Sequence, residues 1–184
     1  MITRDQALEE LKIRVSDKKI LRHSIAVEAV MKGFAKYYNA DTDVWGMTGL
    51  LHDIDYDKTA NNLSRHGIVA GDILENFDID QAIVYSIRAH NSYNNIPRNR
   101  KMDKVLFVSG YITDVVIEGT LLHPDKKISE VTVEGALKNL ESKNYCEDVN
   151  KNITKYLNDL GLTLEKFIEI TLKAMQGISK ELEF

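Results

Sequence analysis

Cysteine is almost absent from this chain. Its one thiol, Cys146, excludes an intramolecular disulfide and any thiolate metal cluster, and it suits a reducing compartment. Proline is nearly as scarce, with only Pro97 and Pro124, and glycine numbers ten, so the 184 residues hold few chain breaks and favour long helices. There is no excess of positive charge. The net charge of −4 argues against a nucleic-acid polymer or an anionic membrane surface as partner, while leaving room for a local basic patch that holds a small anion. No uninterrupted apolar stretch reaches membrane-spanning length, and the N-terminal MITRDQALEE carries charge from its fourth residue, without the apolar segment of a secretion signal. A cytoplasmic protein of ordinary globular composition is the expectation.

Apolar residues recur at helical spacing along nearly the whole chain, and no segment alternates as a strand would. In DKKILRHSIAVEAVMKGFAKYY, His23 shares a face with Ile20, Val27, Val30, Met31 and Phe34. Asp41 is placed to cap DTDVWGMTGLLHDI. Helices follow in HGIVAGDILENF, in DIDQAIVYSIRAHN with Asp78 as its cap, and in KMDKVLFVSGYITDVVIEGTLL, which Pro124 ends. Weaker helices are expected near 130–141, 147–160 and 163–182, the last capped by Thr163. The fold class is all-α. About five helices with an N-terminal helix form a core over 1–124, and a helical extension over 125–184 packs on it.

Four of the five histidines lie on or beside separate helices: His23 inside one, His52-Asp53 at the end of the next, His66 opening another and His90 closing the one after. Taken singly each has a plain reading. A histidine on an apolar face is usually hydrogen-bonded in the core, one at a helix C-terminus complements the macrodipole, and His123 before Pro124 reads as a turn residue. Together they suggest a shared cation, because neutral imidazole and carboxylate suit zinc, iron, manganese and similar ions.

The order His23 in LRHSIAVE, His52-Asp53 in GLLHDID, His66 in SRHGIVAGDIL and His90 in IRAHN resembles the HD-domain superfamily of metal-dependent phosphohydrolases over residues 18–124. The pattern is similar to the dinuclear, diadenosine tetraphosphatase-like branch and to small bacterial HD hydrolases. The resemblance implies one or two divalent ions (iron, manganese, zinc, nickel or cobalt), held by His23, His52, Asp53, His66 and His90 and a closing Asp. The ion would acidify a water that attacks a phosphate ester or nucleotide. In the segment from Met102 to Pro124 Gly110 stands where relatives carry that Asp, and Asp114 where they carry Gly. Asp114, one turn on, is a candidate replacement; a site one ligand short, or a pocket that has lost catalysis, are the other readings.

Asp53 and Lys58 are the candidate catalytic residues, and Arg98, Arg100 and Lys101 the candidate phosphate-binding cations. Arg65 is a further cationic candidate, and Asp55 and Asp57 are candidates to orient ligand histidines. Two rivals stay open. One is a degenerate HD scaffold that binds a nucleotide or partner without turnover. The other is a di-iron oxygenase of the type found among relatives with four histidines.

Overall fold

A computed structural model describes residues 2–143, 145 and 147–184; Cys146 lies outside the described residues, with Met1 and Asn144. Among the described residues every regular element is helical, as the spacing of apolar residues expects. Helix α1 (Arg4–Arg14) starts at a capping box between Thr3 and Gln6, and α2 (Lys18–Tyr37) starts at Asp17. Asp41 caps α3 (Thr42–Leu51) through the amides of Asp43 and Val44. The short α4 (Tyr56–Thr59) and α5 (Ile68–Leu74) follow, then α6 (Gln81–His90) and α7 (Lys101–Leu122). The cap of α6 is Asp80, whose carboxylate accepts from the amide of Ala82, and not Asp78. Both residues are aspartates two positions apart, so sequence alone could not rank them. Helices α8 (Val133–Ser142), α9 (Glu147–Leu160) and α10 (Leu164–Gln176) complete the chain, with Thr163 capping α10; this last helix stops short of residue 182.

Two apolar clusters hold these helices. The larger joins α2 and α7 to α9 and α10, with the rings of Phe34 and Phe167 only 4.2 Å apart between centroids. The C-terminal helices therefore share a core with α2 and α7. The smaller cluster gathers Ala7 and Leu11 of α1, Leu50 and Leu51 of α3, and Ile83 and Ile87 of α6, while Ile25 and Val44 pack against both. Helix α7 is long and apolar enough to cross a membrane by length and composition, but more than half of that stretch is covered by the surrounding helices. It serves as the central helix of the bundle. The N-terminus is tied in by ions: Arg4 meets the buried Glu28 through Nε and Nη2 at 2.6 and 2.8 Å, and Lys32 meets the same carboxylate at 2.6 Å.

The placement of the site depends on how closely α2 and α3 approach. A Cβ on Gly49 would lie 2.7 Å from the carbonyl oxygen of Val27 and 2.8 Å from its carbon, and backbone cannot yield as a side chain can. Gly49→Ala should therefore cost about 1–3 kcal/mol by overpacking, read as a lower urea midpoint. Because α2 carries His23 and α3 leads into His52, the same change should weaken any metal that bridges them.

Candidate metal centre

Each histidine reaches the interior by a different local route. His23 projects from the middle of α2, and His52 caps the C-terminus of α3 with Asp53 next to it. His66 does not open α5. It ends a 3-10 turn at Leu63–Arg65 in extended conformation, and Gly67, at φ +83°, turns the chain into the helix. His90 is the last residue of α6.

One rule governs all four rings. Nδ1 is tied back to the protein: His52 to the carbonyl of Gly49 at 2.8 Å, His90 to that of Ile87 at 2.6 Å, His66 to Asp55 at 2.9 Å and His23 to Asp114 at 2.7 Å. Nε2 of each ring then faces Asp53. Asp53 Oδ1 lies 3.3 Å from His52, 3.2 Å from His66 and 3.7 Å from His90, and Oδ2 lies 4.0 Å from His23. The Nε2 atoms pair as well, His23 with His52 at 3.3 Å and His66 with His90 at 2.9 Å. Two nitrogens bound to one ion at about 2.0–2.1 Å, at angles between octahedral and tetrahedral, would sit about 2.8–3.4 Å apart, so both pairs suit a shared cation. Two donor groups result, His23–His52–Asp53 and Asp53–His66–His90, with Asp53 common to both.

Each donor group combines one imidazole whose pKa is pushed down with one whose pKa is drawn up, and an entering cation must displace the proton of the latter. Burial pushes His52 down, and burial with the charge of the neighbouring His66 lowers His90 to about 3, leaving both as neutral imidazoles. Burial opposes charge on His66 too, but hydrogen bonds to Asp53 and Asp55 outweigh it and raise the group to about 10. Burial likewise opposes charge on His23, and Asp114 with Asp53 overcomes it. Burial would raise Asp53, yet the surrounding histidines hold it well below the usual carboxylate range. The cluster is a buried anion ringed by imidazoles, and a divalent metal ion can be held there.

Asp55 supports this arrangement from behind. It is fully buried, and beyond His66 it accepts from the amides of Gly67 and Ala70, each at 2.9 Å, at the start of α5. Asp55→Ala leaves those buried donors unpaired. It should cost on the order of 3–5 kcal/mol and lower Tm by roughly 10 °C for a chain of this size. Metal affinity should fall about 10–100-fold because His66 loses its anchor. Asp57 has no such place; it is exposed and accepts from the amide and hydroxyl of Ser16.

The cluster floors a cavity of about 540 Å³ that Tyr93, Phe107, Gly110, Tyr111, Asp114 and Asp148 help to line. A Cβ on Gly110 would meet nothing within 4 Å, so this position leaves open room beside the histidines. Asp114 lies against Nδ1 of His23, on the opposite side of the ring from the Nε2 that faces Asp53.

The cations expected at the mouth fall elsewhere. Arg100 is held by the buried Asp103 at 2.7 Å and by the carbonyl of Ala82, with its guanidinium over the ring of Tyr85. Lys101 sits over the ring of Tyr38 at 4.5 Å. Arg98 lies 4.2 Å over the ring of Phe107 and donates to Tyr156 Oη, the carbonyl of His90 and Ser92 Oγ, so it braces the cavity wall from outside the lining. Lys58 and Arg65 are exposed, and neither is among the described residues that line the cavity. Sequence reasoning missed Asp148, which reaches the cavity from the first turn of α9 through tertiary packing that no local pattern signals.

Comparison with known proteins agrees with the geometry. The chain is 30% identical over 182 residues to a tRNA (cytidine(56)-2'-O)-methyltransferase of Picrophilus torridus, an alignment covering 97% of this chain and 50% of that protein. It is also 30% identical over 88 residues to ribonuclease Y of Fusobacterium nucleatum, covering 47% of this chain and 17% of that protein. The chain thus spans half the length of the first relative and a smaller part of the second. No solved structure matches it. The HD domain matches residues 20–151, a span that contains all four clustered histidines and Asp53. A helical chain whose imidazoles converge on an HD-type carboxylate, matched over most of its length, belongs to the HD-domain family.

Proposed function

We propose that this chain is a metal-dependent phosphohydrolase acting on a phosphate ester or nucleotide at the cavity floored by Asp53. The observation that carries the proposal is the common orientation of four rings, each anchored at Nδ1 and each turning Nε2 to one carboxylate. A divalent ion held there supplies Lewis acidity to phosphate oxygens and lowers the pKa of a bound water. The protein's part is to fix the donors. The carbonyls of Gly49 and Ile87 and the carboxylates of Asp55 and Asp114 set the ring orientation, so that little rearrangement is needed on binding. Asp53 joins the two donor groups and offsets part of the ionic charge. Asp114 acts by holding His23, and Lys58, Arg100 and Lys101 take no part in the chemistry.

The names of both relatives concern RNA. A net charge of −4 and a cavity with no lysine or arginine among its described lining residues favour a small nucleotide over a polymer for this chain. The test is purified protein stripped of metal and reloaded with manganese, iron, cobalt or nickel, assayed on a broad phosphoester panel. Turnover that depends on the added ion is expected; its absence with every metal defeats the proposal. Gly110 favours a second reading, a scaffold that keeps the pocket and binds nucleotide without cutting it. Tight binding with no turnover across the panel selects that reading.

A further inference from the structure

We infer that the cavity takes a nucleoside carrying one phosphate group and turns away polyphosphate chains. The inference rests on the phosphohydrolase reading and narrows its substrate.

The charge of the lining disfavours a polyphosphate. Among the described residues lining the cavity are three carboxylates, Asp53, Asp114 and Asp148, and no lysine or arginine. The cations of residues 98–104 are engaged elsewhere: Arg100 with Asp103, Lys104 with Asp159 at 2.9 Å, Lys101 on the Tyr38 ring and Arg98 on the Phe107 ring. Sites that hold successive phosphates supply guanidinium or ammonium groups along the chain, since each added phosphate brings further negative charge. Here a divalent ion at the floor can balance one phosphate, and a second or third phosphate extending toward the mouth would meet Asp114 and Asp148 instead. Both are exposed, so water screens the repulsion without removing it.

The shape and surface of the cavity suit a nucleoside. Tyr93, Phe107 and Tyr111 line the cavity, and the last two rings lie 5.2 Å apart between centroids. The guanidinium of Arg98 against Phe107 stiffens that wall. Beside these aromatic faces stands Asn95, while the amide of Asn91 is engaged with the carbonyls of Leu63 and His66 and pins the loop that carries Tyr93. Flat apolar faces next to amide donors and acceptors suit a nucleobase, which stacks by its face and is read at its edge. A volume of about 540 Å³ lies within the range of small-molecule sites.

A single phosphate on a nucleoside can be a monoester or a diester, and the experiment separates them. The metal-loaded chain, with free metal held constant, is titrated calorimetrically with AMP, the dinucleoside phosphodiester ApA, ATP and diadenosine tetraphosphate, and turnover of each is followed. AMP or ApA should bind at least about tenfold tighter than either polyphosphate, and the tighter of the two names the ester class. Tyr93→Ala, at a side chain 65% exposed, should weaken AMP about tenfold and leave methyl phosphate unchanged, as expected for lost base stacking. Asp148→Lys should narrow the preference for AMP over ATP about tenfold. Polyphosphates that bind as tightly as AMP, or an Asp148→Lys variant with an unchanged preference, overturn the inference. Binding in the stated order with no turnover leaves it standing and defeats the hydrolase reading; efficient cleavage of ATP does the reverse.

Discussion

Asp53→Ala should remove bound metal and, with it, turnover by on the order of a thousandfold or more, beyond the 10–100-fold typical of losing an outer-sphere partner. The expectation follows from Asp53's place in both donor groups. Each histidine contributes to one group, so removing one imidazole leaves the other group whole. Removing Asp53 leaves four imidazole nitrogens around a buried point without their anion, and the pairs at 2.9 and 3.3 Å then have only each other. Desolvation opposes charge on every ring there, so an incoming dication loses its main electrostatic reason to enter. Metal content by mass spectrometry and turnover should fall together. A variant that keeps stoichiometric metal would show that the imidazoles alone hold the ion and that Asp53 serves only to orient them.

Gly110→Asp should act in the opposite direction, raising metal affinity about 10–100-fold, the scale on which single partners tune such sites. The position lines the cavity, and a Cβ there meets nothing within 4 Å, so the new side chain enters without displacing a neighbour. Replacing glycine inside a helix also removes its backbone entropy penalty, with Gly about 1 kcal/mol worse than Ala. The helix should therefore not be weakened. Asp114 does not already fill this role in our account, because it is engaged with Nδ1 of His23. The two carboxylates should then prove separable: Asp114→Asn loosens His23 and weakens the ion, and Gly110→Asp strengthens it whether or not Asp114 is present. Unchanged affinity in Gly110→Asp would mean that a carboxylate at this position of α7 does not reach the ion.

The helices and the histidine pattern were legible in the sequence for physical reasons. Apolar spacing marks the buried face of α2, on which His23 sits, while the buried face of α3 includes Thr48, Gly46 and Gly49 and His52 follows that helix as its C-cap. The caps at Asp41 and Thr163 were readable because each interaction lies within three residues. Asp55 was readable as a candidate orienter; its grip on the amides of Gly67 and Ala70 was not, since it depends on the turn at Gly67 folding α5 back over it. The arginines lie outside the cavity lining for a related reason. Charge density in residues 98–101 said that cations were near, but Asp103, Tyr85, Phe107 and Tyr156 claim them, and those partners come from α6, α7 and α9. Asp148 reaches the cavity from more than fifty residues beyond the last histidine of the motif.

The most direct measurement of the central claim is an anomalous scattering map of crystals grown with manganese or iron, collected on either side of the metal absorption edge. The account predicts density bounded by Nε2 of His23 and His52 on one side, Nε2 of His66 and His90 on the other, with Asp53 touching whatever is bound. Metal-free density at this point in fully loaded crystals, or an ion bound away from Asp53, would contradict it.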